Sequence, residues 1–391
     1  MTTAVVGHFT LPDHFRGDAQ QKKMIDQFIN SRLDFPIEID WKIPKMRAFI
    51  RRAPQFPATV LWKDHVKDIE DCSPGTVLIG VTERHKLYYG SFKLDDPHWA
   101  FSVQTGRGKS TFLCCTIAQI FHQDPEATAT GIDPKMESFL ALLGVPGFHI
   151  YNDPRDVESM WVGIRNVKKL MDERYDQRAE DPTVTFPRHL LVIDELTRFG
   201  SLTHSHWMKI KEKKDPVRAE VWDDFTSILL LGRAANINVL TCGQIIYDAT
   251  LGNVPGIITS FGFKGLAGHR PRDWDRLVGT YPAPRPRKEK GRWVYTKGDG
   301  DDTWVQNLLA TELELKDWAM SARSVDKSTG GVEWVVGLNQ AAERTKMSYD
   351  AFRKMREREG GTLPGEQRRG NRPMWPAELL DNYAQKAENN A

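Results

Sequence analysis

Residues 103–111 read VQTGRGKST, and their types and spacing suit a phosphate cradle. Gly108, Lys109 and Ser110 fill the last three fixed places of the G-x-x-x-x-G-K-[ST] loop, while the first is Val103. In such a loop the backbone N–H groups, here from Thr105, Gly106, Arg107 and Gly108 to Thr111, face phosphate oxygens. The following helix adds its positive end. Lys109 would reach the β- and γ-phosphates of ATP, and the Ser110 hydroxyl would bind Mg²⁺. Gly106 adds flexibility beside Gly108, and Arg107 puts an extra cation at the loop tip. A strand–turn–helix connection with a chance G-K-S would read the same way, so the loop needs a second element.

That element is HLLVIDE at 189–195, an apolar run ending in two acids. A buried strand that ends in Asp-Glu places carboxylates at the carboxyl edge of a sheet, where open α/β sheets bind ligands. Asp194 would hold Mg²⁺, mostly through water. Glu195 would take a proton from the attacking water as general base. A third run, INVLTCGQ at 237–244, ends in Gln244, whose amide could sense the γ-phosphate or position water. Many strands end in glutamine, so Gln244 adds little by itself.

The elements that must position these residues follow from the same pattern. Strands are expected at TVLIGV, WAFSV, ATGID, HLLVID, INVLTCG and SFGFKGL. Helices are expected at KSTFLCCTIAQIFHQ, DVESMWVGIRNVKKLMDERYDQRA and WDDFTSILLLGRAAN. Strands alternating with helices imply a parallel sheet covered on both faces. The basic, proline-rich stretch YPAPRPRKEKGR (281–292) leads into RWVYTKGDGDDTWVQ, which reads as a hairpin. Three regions result: 1–75 without a nameable motif, 76–325 with the α/β pattern, and 326–391 beyond the DKSTGG linker. His204 and His206 in THSHW lack a third ligand and are read as loop residues.

Composition excludes several classes. The 391 residues carry a net charge of only +2, with 40% hydrophobic and 27% charged residues, so any basic surface must be local. Cys72, Cys114, Cys115 and Cys242 have no C-x-x-C spacing, which argues against a zinc site or a disulfide framework and suits a reducing cytoplasm. No apolar run approaches 18 residues, and the first residues do not form a secretory signal. A cytoplasmic protein is expected, recruited to any membrane by other contacts.

Three features together resemble the FtsK/SpoIIIE family of double-stranded DNA translocases. These are GIDPKMESFLALLGVPGFHIY (131–151) after the second strand, LLVIDELTRFG (190–200), and LLGRAANINVLTCGQ (230–244). GRWVYTKGDGDDTWVQ (291–306) is similar to that family's closing hairpin. The similarity covers about 75 to 315. It implies a RecA-like P-loop motor that assembles as a homo-hexamer around duplex DNA, with ATP between subunits and an arginine supplied by the neighbour. Arg233 in GRAA and Arg272 in HRPRDWDRL are the candidates for that finger, because arginine is always charged and forks onto phosphate oxygens. Val103 departs from the family's first loop glycine. No membrane-spanning N-terminal part is seen, which points away from chromosome segregation at a division septum.

The last region reads as helix, turn, helix over GLNQAAERTKMSYDAFRKMRERE (337–359), with Ser348 as N-cap of the second helix. On that helix Ala351, Phe352 and Met355 share one face, and Asp350, Arg353, Lys354 and Glu357 the other. Arg368, Arg369, Gly370, Asn371 and Arg372 would form the tip of a basic hairpin, and Pro376 would open a closing helix. Residues 344–372 hold nine basic and four acidic side chains, a local excess that can contact phosphates. The unit resembles the winged helix-turn-helix of excisionase and MerR-type proteins. Tyr349, Arg353, Lys354, Arg368, Arg369 and Arg372 are the residues expected on DNA. A motor with such a reader resembles the Tra-type translocases of actinobacterial conjugative plasmids and integrative elements.

The fold class expected is thus α/β, a RecA-like motor with a small N-terminal region and a C-terminal winged helix-turn-helix. ATP and Mg²⁺ are the expected cofactors. Double-stranded DNA, further copies of the chain and membrane or transfer machinery are the expected partners. Three alternatives stay open: a phage-encoded translocase, a sequence-specific DNA-binding protein with a regulatory or degenerate nucleotide site, and a single-strand helicase of related type.

Overall fold

The computed structural model of the chain describes residues 5–12, 15, 17–30, 32–33, 37–52, 55–92, 96–280, 283–284, 286–297, 302–321, 334–336, 342, 344–345, 349–358, 367–369, 372–376 and 380. Strands β1 (Val5–Thr10), β2 (Ile37–Lys42) and β3 (Arg47–Arg52) form an antiparallel sheet in the order β1-β3-β2. Helix α1 (Ala19–Asn30) accompanies it. A small core of Leu11, Phe15 and Ala48 holds this unit, with the Phe15 and Trp41 rings stacked at 5.3 Å.

The main body follows as β4 (Val60–Leu61), α2 (Val66–Glu70), β5 (Thr76–Thr82), β6 (Leu87–Ser91), β7 (Trp99–Val103) and α3 (Lys109–Gln123). It continues with β8 (Thr128–Ile132), β9 (Phe148–Tyr151), α4 (Val157–Glu180), β10 (His189–Ile193), α5 (Leu196–Ile210) and α6 (Val221–Leu231). It ends with β11 (Ile237–Gly243), β12 (Phe263–Ala267), α7 (Pro271–Leu277), β13 (Arg292–Thr296), β14 (Thr303–Leu309) and α8 (Glu312–Ser321). Eleven strands form one sheet, ordered β6-β5-β14-β13-β12-β7-β11-β10-β8-β9, with β4 paired to β14. Neighbours from β12 through β9 are parallel. Strands β7, β10 and β11 are buried along their whole length, as a sheet covered on both faces requires. Alternate residues feed two cores: Leu190 and Val192 of β10 join one, Leu191 and Ile193 the other. Helix α3 packs on the first side, where the Gln119 amide accepts from Leu78 N–H at 2.8 Å and donates to Leu78 O at 3.0 Å.

Several expectations are corrected here. TVLIGV forms a strand but not a parallel one: β5, β6, β13 and β14 extend the sheet antiparallel. Short connections join β5 to β6 and β13 to β14, and parallel pairing needs a crossover too long for them. Strand β5 packs so closely on β14 that a Cβ on Gly80 would stand 2.1 Å from the Gln306 carbonyl oxygen. The helix expected to run through GRAA stops at Leu231, and Gly232–Ala235 close it as a 3₁₀ turn with Asn236 left-handed at φ 52°. His204 and His206 lie on helix α5, not in a loop. Two residues apart on a helix is about 200°, so they face differently. His206 meets the Glu158 carboxylate at 3.1 Å, and no cluster of three metal-ligating side chains occurs among the described residues.

In the last region β15 (Trp334–Val336), α9 (Tyr349–Arg358), β16 (Gln367–Arg369) and β17 (Arg372–Pro376) are described, with β15-β17-β16 antiparallel. Pro376 is the last residue of β17, and residues 377–379, where the closing helix is expected to begin, lie outside the described residues. Residues 326–331, Ser348, Gly370 and Asn371, and the side chains of Tyr349, Asp350, Ala351 and Glu357, lie outside the described residues. No helix among the described residues is long and apolar enough to cross a membrane.

Two buried histidines make the main body acid-sensitive. His98 Nδ1 accepts the Val239 N–H at 2.9 Å, and the His189 ring bonds the Thr128 and Thr130 hydroxyls. Burial pushes His98 down to about 4 and His189 down to about 3. The unfolded chain takes up these protons near pH 6.5, well before the native state does. Stability therefore falls as pH drops from about 6.5 towards 4, by several kcal/mol in total. Urea midpoints at pH 7, 5.5 and 4.5 should decrease in that order; equal midpoints would refute the assignment.

Candidate active site

The carboxyl ends of β7, β8, β10 and β11 meet at one edge of the sheet, as their register requires. After β7 the chain turns through Gly106 at φ 77° and Gly108 at φ 89° before α3 begins at Lys109. Both angles are left-handed, which explains glycine at these two places. Val103 is not part of the turn. It pairs with Ala267 in the sheet and its side chain lies in the core, so the unusual residue leaves the turn itself intact. The loop is anchored from outside: Arg107 O accepts the Trp293 indole N–H at 2.8 Å and the Gly291 N–H at 3.2 Å. The Arg107 guanidinium donates to the Lys288 carbonyl, so this cation is half-buried in a tie to the loop before β13.

Four charged side chains meet beside the loop. The Lys109 ammonium donates to Glu195 Oε2 at 2.9 Å and lies 3.5 Å from Asp194. Lys135 donates to the same Glu195 oxygen at 2.8 Å. The other oxygen, Oε1, accepts the Gln244 backbone N–H at 3.1 Å. The Gln244 amide reaches on to the Thr105 hydroxyl at 3.3 Å, joining the ends of β7 and β11. Burial alone would raise the Glu195 pKa, but the Lys109 charge and the bonds from Lys135 and Lys109 hold it below the usual carboxylate range. Burial opposes the charge on Lys109, yet the Asp194 and Glu195 carboxylates raise it above its ordinary value. Asp194 is completely buried and its pKa is raised by burial, against the pull of Lys109 and the Ser138 hydroxyl.

The residues present fit a hard divalent cation. Neither Asp194 oxygen has a well-formed hydrogen bond, leaving lone pairs for a cation or its waters. The Ser110 hydroxyl, at the first turn of α3, shares a hydrogen bond with Ser138 at 3.0 Å. Thr111 follows it, half-buried.

Of the sequence candidates, the structure brings together Thr105, Lys109, Ser110, Asp194, Glu195 and Gln244. No hydrogen bond or ion pair joins either arginine to them among the described residues. Arg233 sits on the turn before β11, at the opposite edge, about 23 Å away along a seven-residue strand. Arg272 lies on α7, after the carboxyl end of β12, exposed and without an ion pair among the described residues. Elsewhere, Arg353 and Lys354 are exposed on α9 while Phe352 is buried, and Arg369 stands opposite Arg372 across the β16–β17 pair. Sequence reading missed Asp133, Lys135 and Ser138 as site residues. They join the site because β8 lies beside β10, which the spacing of neither segment marks.

No protein-family model matches the sequence, and no curated protein does. Among solved structures, the pCW3 conjugation coupling protein TcpA, in its monomer form with ATPγS, is similar at a TM-score of 0.51 and 18% identity, covering 79% of this chain and 89% of that one. ATPases 2 and 3 of EssC from Geobacillus thermodenitrificans are similar at 0.51 and 15% identity, covering 66% of this chain and 46% of that one. The chain therefore spans about half of that EssC structure. At these identities the likeness is one of fold: the large mixed sheet resembles that of RecA-like ATPases.

Proposed function

We propose that the chain is an ATP-hydrolysing motor that moves double-stranded DNA during transfer of a conjugative plasmid or integrative element. The observation that carries this reading is Glu195, held at both oxygens beside a two-glycine loop by Lys109, Lys135 and Gln244. The fold shared with a conjugation coupling protein solved with ATPγS supports it. In this reading residues 76–325 are the motor and 326–391 a DNA-reading winged unit. Region 1–75 has no assigned role, although its Val60–Leu61 strand joins the motor's sheet. The motor works in the cytoplasm as a homo-hexamer, engaged with membrane transfer machinery through partners.

The chemistry follows from the residues. The N–H groups of 105–111 receive the phosphates at the start of α3. Lys109 exchanges its carboxylate partners for β- and γ-phosphate oxygens. Mg²⁺, held by Ser110 and through water by Asp194, would offset charge on the phosphates. Glu195 then takes a proton from water as the water oxygen bonds to the γ-phosphorus and the bond to the β-bridging oxygen breaks. Gln244 keeps Glu195 and Thr105 in register. Arg272 or Arg233 of a neighbouring subunit supplies the remaining positive charge; Arg272 is exposed at the carboxyl edge without an ion pair among the described residues, which favours it.

The test is steady-state ATP hydrolysis without DNA, with linear duplex and with single strands. Duplex should stimulate turnover at least tenfold, and single strands much less. Intact binding to duplex with no turnover under any condition would leave a nucleotide-regulated DNA-binding protein instead.

A further inference from the structure

The turn after β8 contributes side chains to the site from a separate strand end. Asp133 is buried, and its two oxygens accept the Lys135 N–H at 3.1 Å and the Ser138 N–H at 2.8 Å. Between them Met136 is left-handed at φ 62°, a conformation that a non-glycine residue keeps only where its surroundings fix it. Two side chains leave this turn in different directions. Lys135 ends on Glu195 Oε2 at 2.8 Å, and Ser138 on the Ser110 hydroxyl at 3.0 Å. The Ser138 carbonyl also accepts the Cys114 thiol from α3 at 3.2 Å, so the turn is pinned to the helix that carries Ser110.

Glu195 Oε2 has two ammonium partners, and one of them has another task. Lys109 stands on α3 directly after the loop and is the group placed to reach phosphate oxygens. When it does so, Oε2 loses one of its two cations. Lys135 comes from the turn after β8, a separate segment from the loop. Gln244 N–H on Oε1 and Lys135 on Oε2 are two contacts to the carboxylate that do not depend on Lys109.

We infer that Lys135 is a positioning residue for Glu195, holding its carboxylate in place during turnover, on a turn that Asp133 braces and that Ser138 links to Ser110. The inference rests on the ATP-hydrolysing reading above. Lys135 acts on the base and not on the nucleotide, so its loss should slow turnover without weakening nucleotide binding. This differs from a lysine that contacts phosphate, whose loss weakens both.

The experiment compares the full chain with Lys135→Met and Lys135→Arg, measuring kcat and KM for ATP in the presence of duplex. Binding of a fluorescent ATP analogue is measured with and without Mg²⁺. For Lys135→Met, kcat should fall about 10- to 100-fold with KM and analogue affinity within about threefold of the parent. For Lys135→Arg, whose guanidinium can reach the same oxygen, kcat should recover to within about fivefold of the parent. The Lys135 side chain is 36% exposed, so the methionine variant should fold; its unfolding midpoint is the check. Unchanged kcat in Lys135→Met would overturn the inference. So would a parallel loss of kcat and analogue affinity, which would make Lys135 a phosphate ligand. If Lys135→Met does not fold, a Lys135→Arg protein that folds but loses over 100-fold in kcat overturns it as well. A parent protein that binds the analogue yet never hydrolyses ATP would instead remove the underlying reading, and the two failures are distinguishable.

Discussion

Glu195→Gln should lower ATP turnover by about 10²- to 10⁴-fold while leaving ATP binding intact or tighter. The side chain keeps its size, and an amide oxygen can still accept the Gln244 N–H that now meets Oε1 at 3.1 Å. What it loses is basicity and charge. The amide cannot take a proton from water, so the chemical step loses its general base. The charge balance of the cluster changes as well. Lys109 lies against Asp194 and Glu195, and Lys135 against Glu195. Neutralising Glu195 removes one of the negative charges that oppose the incoming phosphates. It also frees Lys109 from its 2.9 Å partner, so that lysine reaches phosphate oxygens at lower cost. Turnover in a coupled assay and affinity by fluorescent ATP analogue check both halves. Near-parental turnover would exclude Glu195 as the base, and a large loss of affinity would show that its role is to shape the pocket.

The parts of this site that were legible in the sequence are those set by local pattern. Gly108, Lys109 and Ser110 are consecutive, and Asp194 and Glu195 close an unbroken apolar run, so each could be placed at a strand or helix end without knowing the sheet. Helix α3 begins and ends where its apolar spacing predicted, at Lys109 and Gln123. The inward Phe352 and outward Arg353 and Lys354 of α9 likewise follow from helical period alone. What was not legible depends on strand order. Lys135 meets Glu195 because β8 lies beside β10, and the Trp293 indole reaches the Arg107 carbonyl because β13 follows β12 beside β7. Neither pairing leaves a mark in the spacing of either segment. The departure at Val103 shows the same limit from the other side. Read as a string it breaks a loop motif; in the sheet it is a core residue paired with Ala267, and the turn depends on Gly106 and Gly108. The β13–β14 hairpin was read from its sequence, but the antiparallel place of β5 was missed because β5 has the unbroken apolar run of a parallel strand. Its burial comes from α3 and from β14, neither of which its own residues announce.

Lys109→Met should have the opposite effect on binding to Glu195→Gln and an equal or larger effect on turnover. Removing the ammonium takes away the one cation placed directly after the loop to reach the incoming phosphates. ATP affinity should fall by about 10²-fold or more, and turnover should drop below detection. Folding stability should also decrease. Lys109 is the cation 3.5 Å from Asp194, a fully buried carboxylate with no well-formed hydrogen bond of its own. Stripping a buried carboxylate of its counter-charge costs up to about 3 kcal/mol, less whatever Asp194 recovers by taking up a proton. That recovery has a sign that can be measured. Burial already raises the Asp194 pKa and Lys109 opposes it, so without Lys109 it rises further. The raised native pKa means the stability deficit of the variant is greatest at neutral pH and shrinks as pH falls and Asp194 protonates. Urea midpoints of parent and variant should therefore converge as pH falls below neutral, while analogue binding stays weak throughout. Parental ATP affinity in Lys109→Met would mean that residues 103–111 are a structural turn and that the nucleotide, if any, binds elsewhere. Opposite shifts in affinity for the two variants, with turnover lost in both, are what a phosphate-seeking lysine held in reserve by a catalytic carboxylate requires.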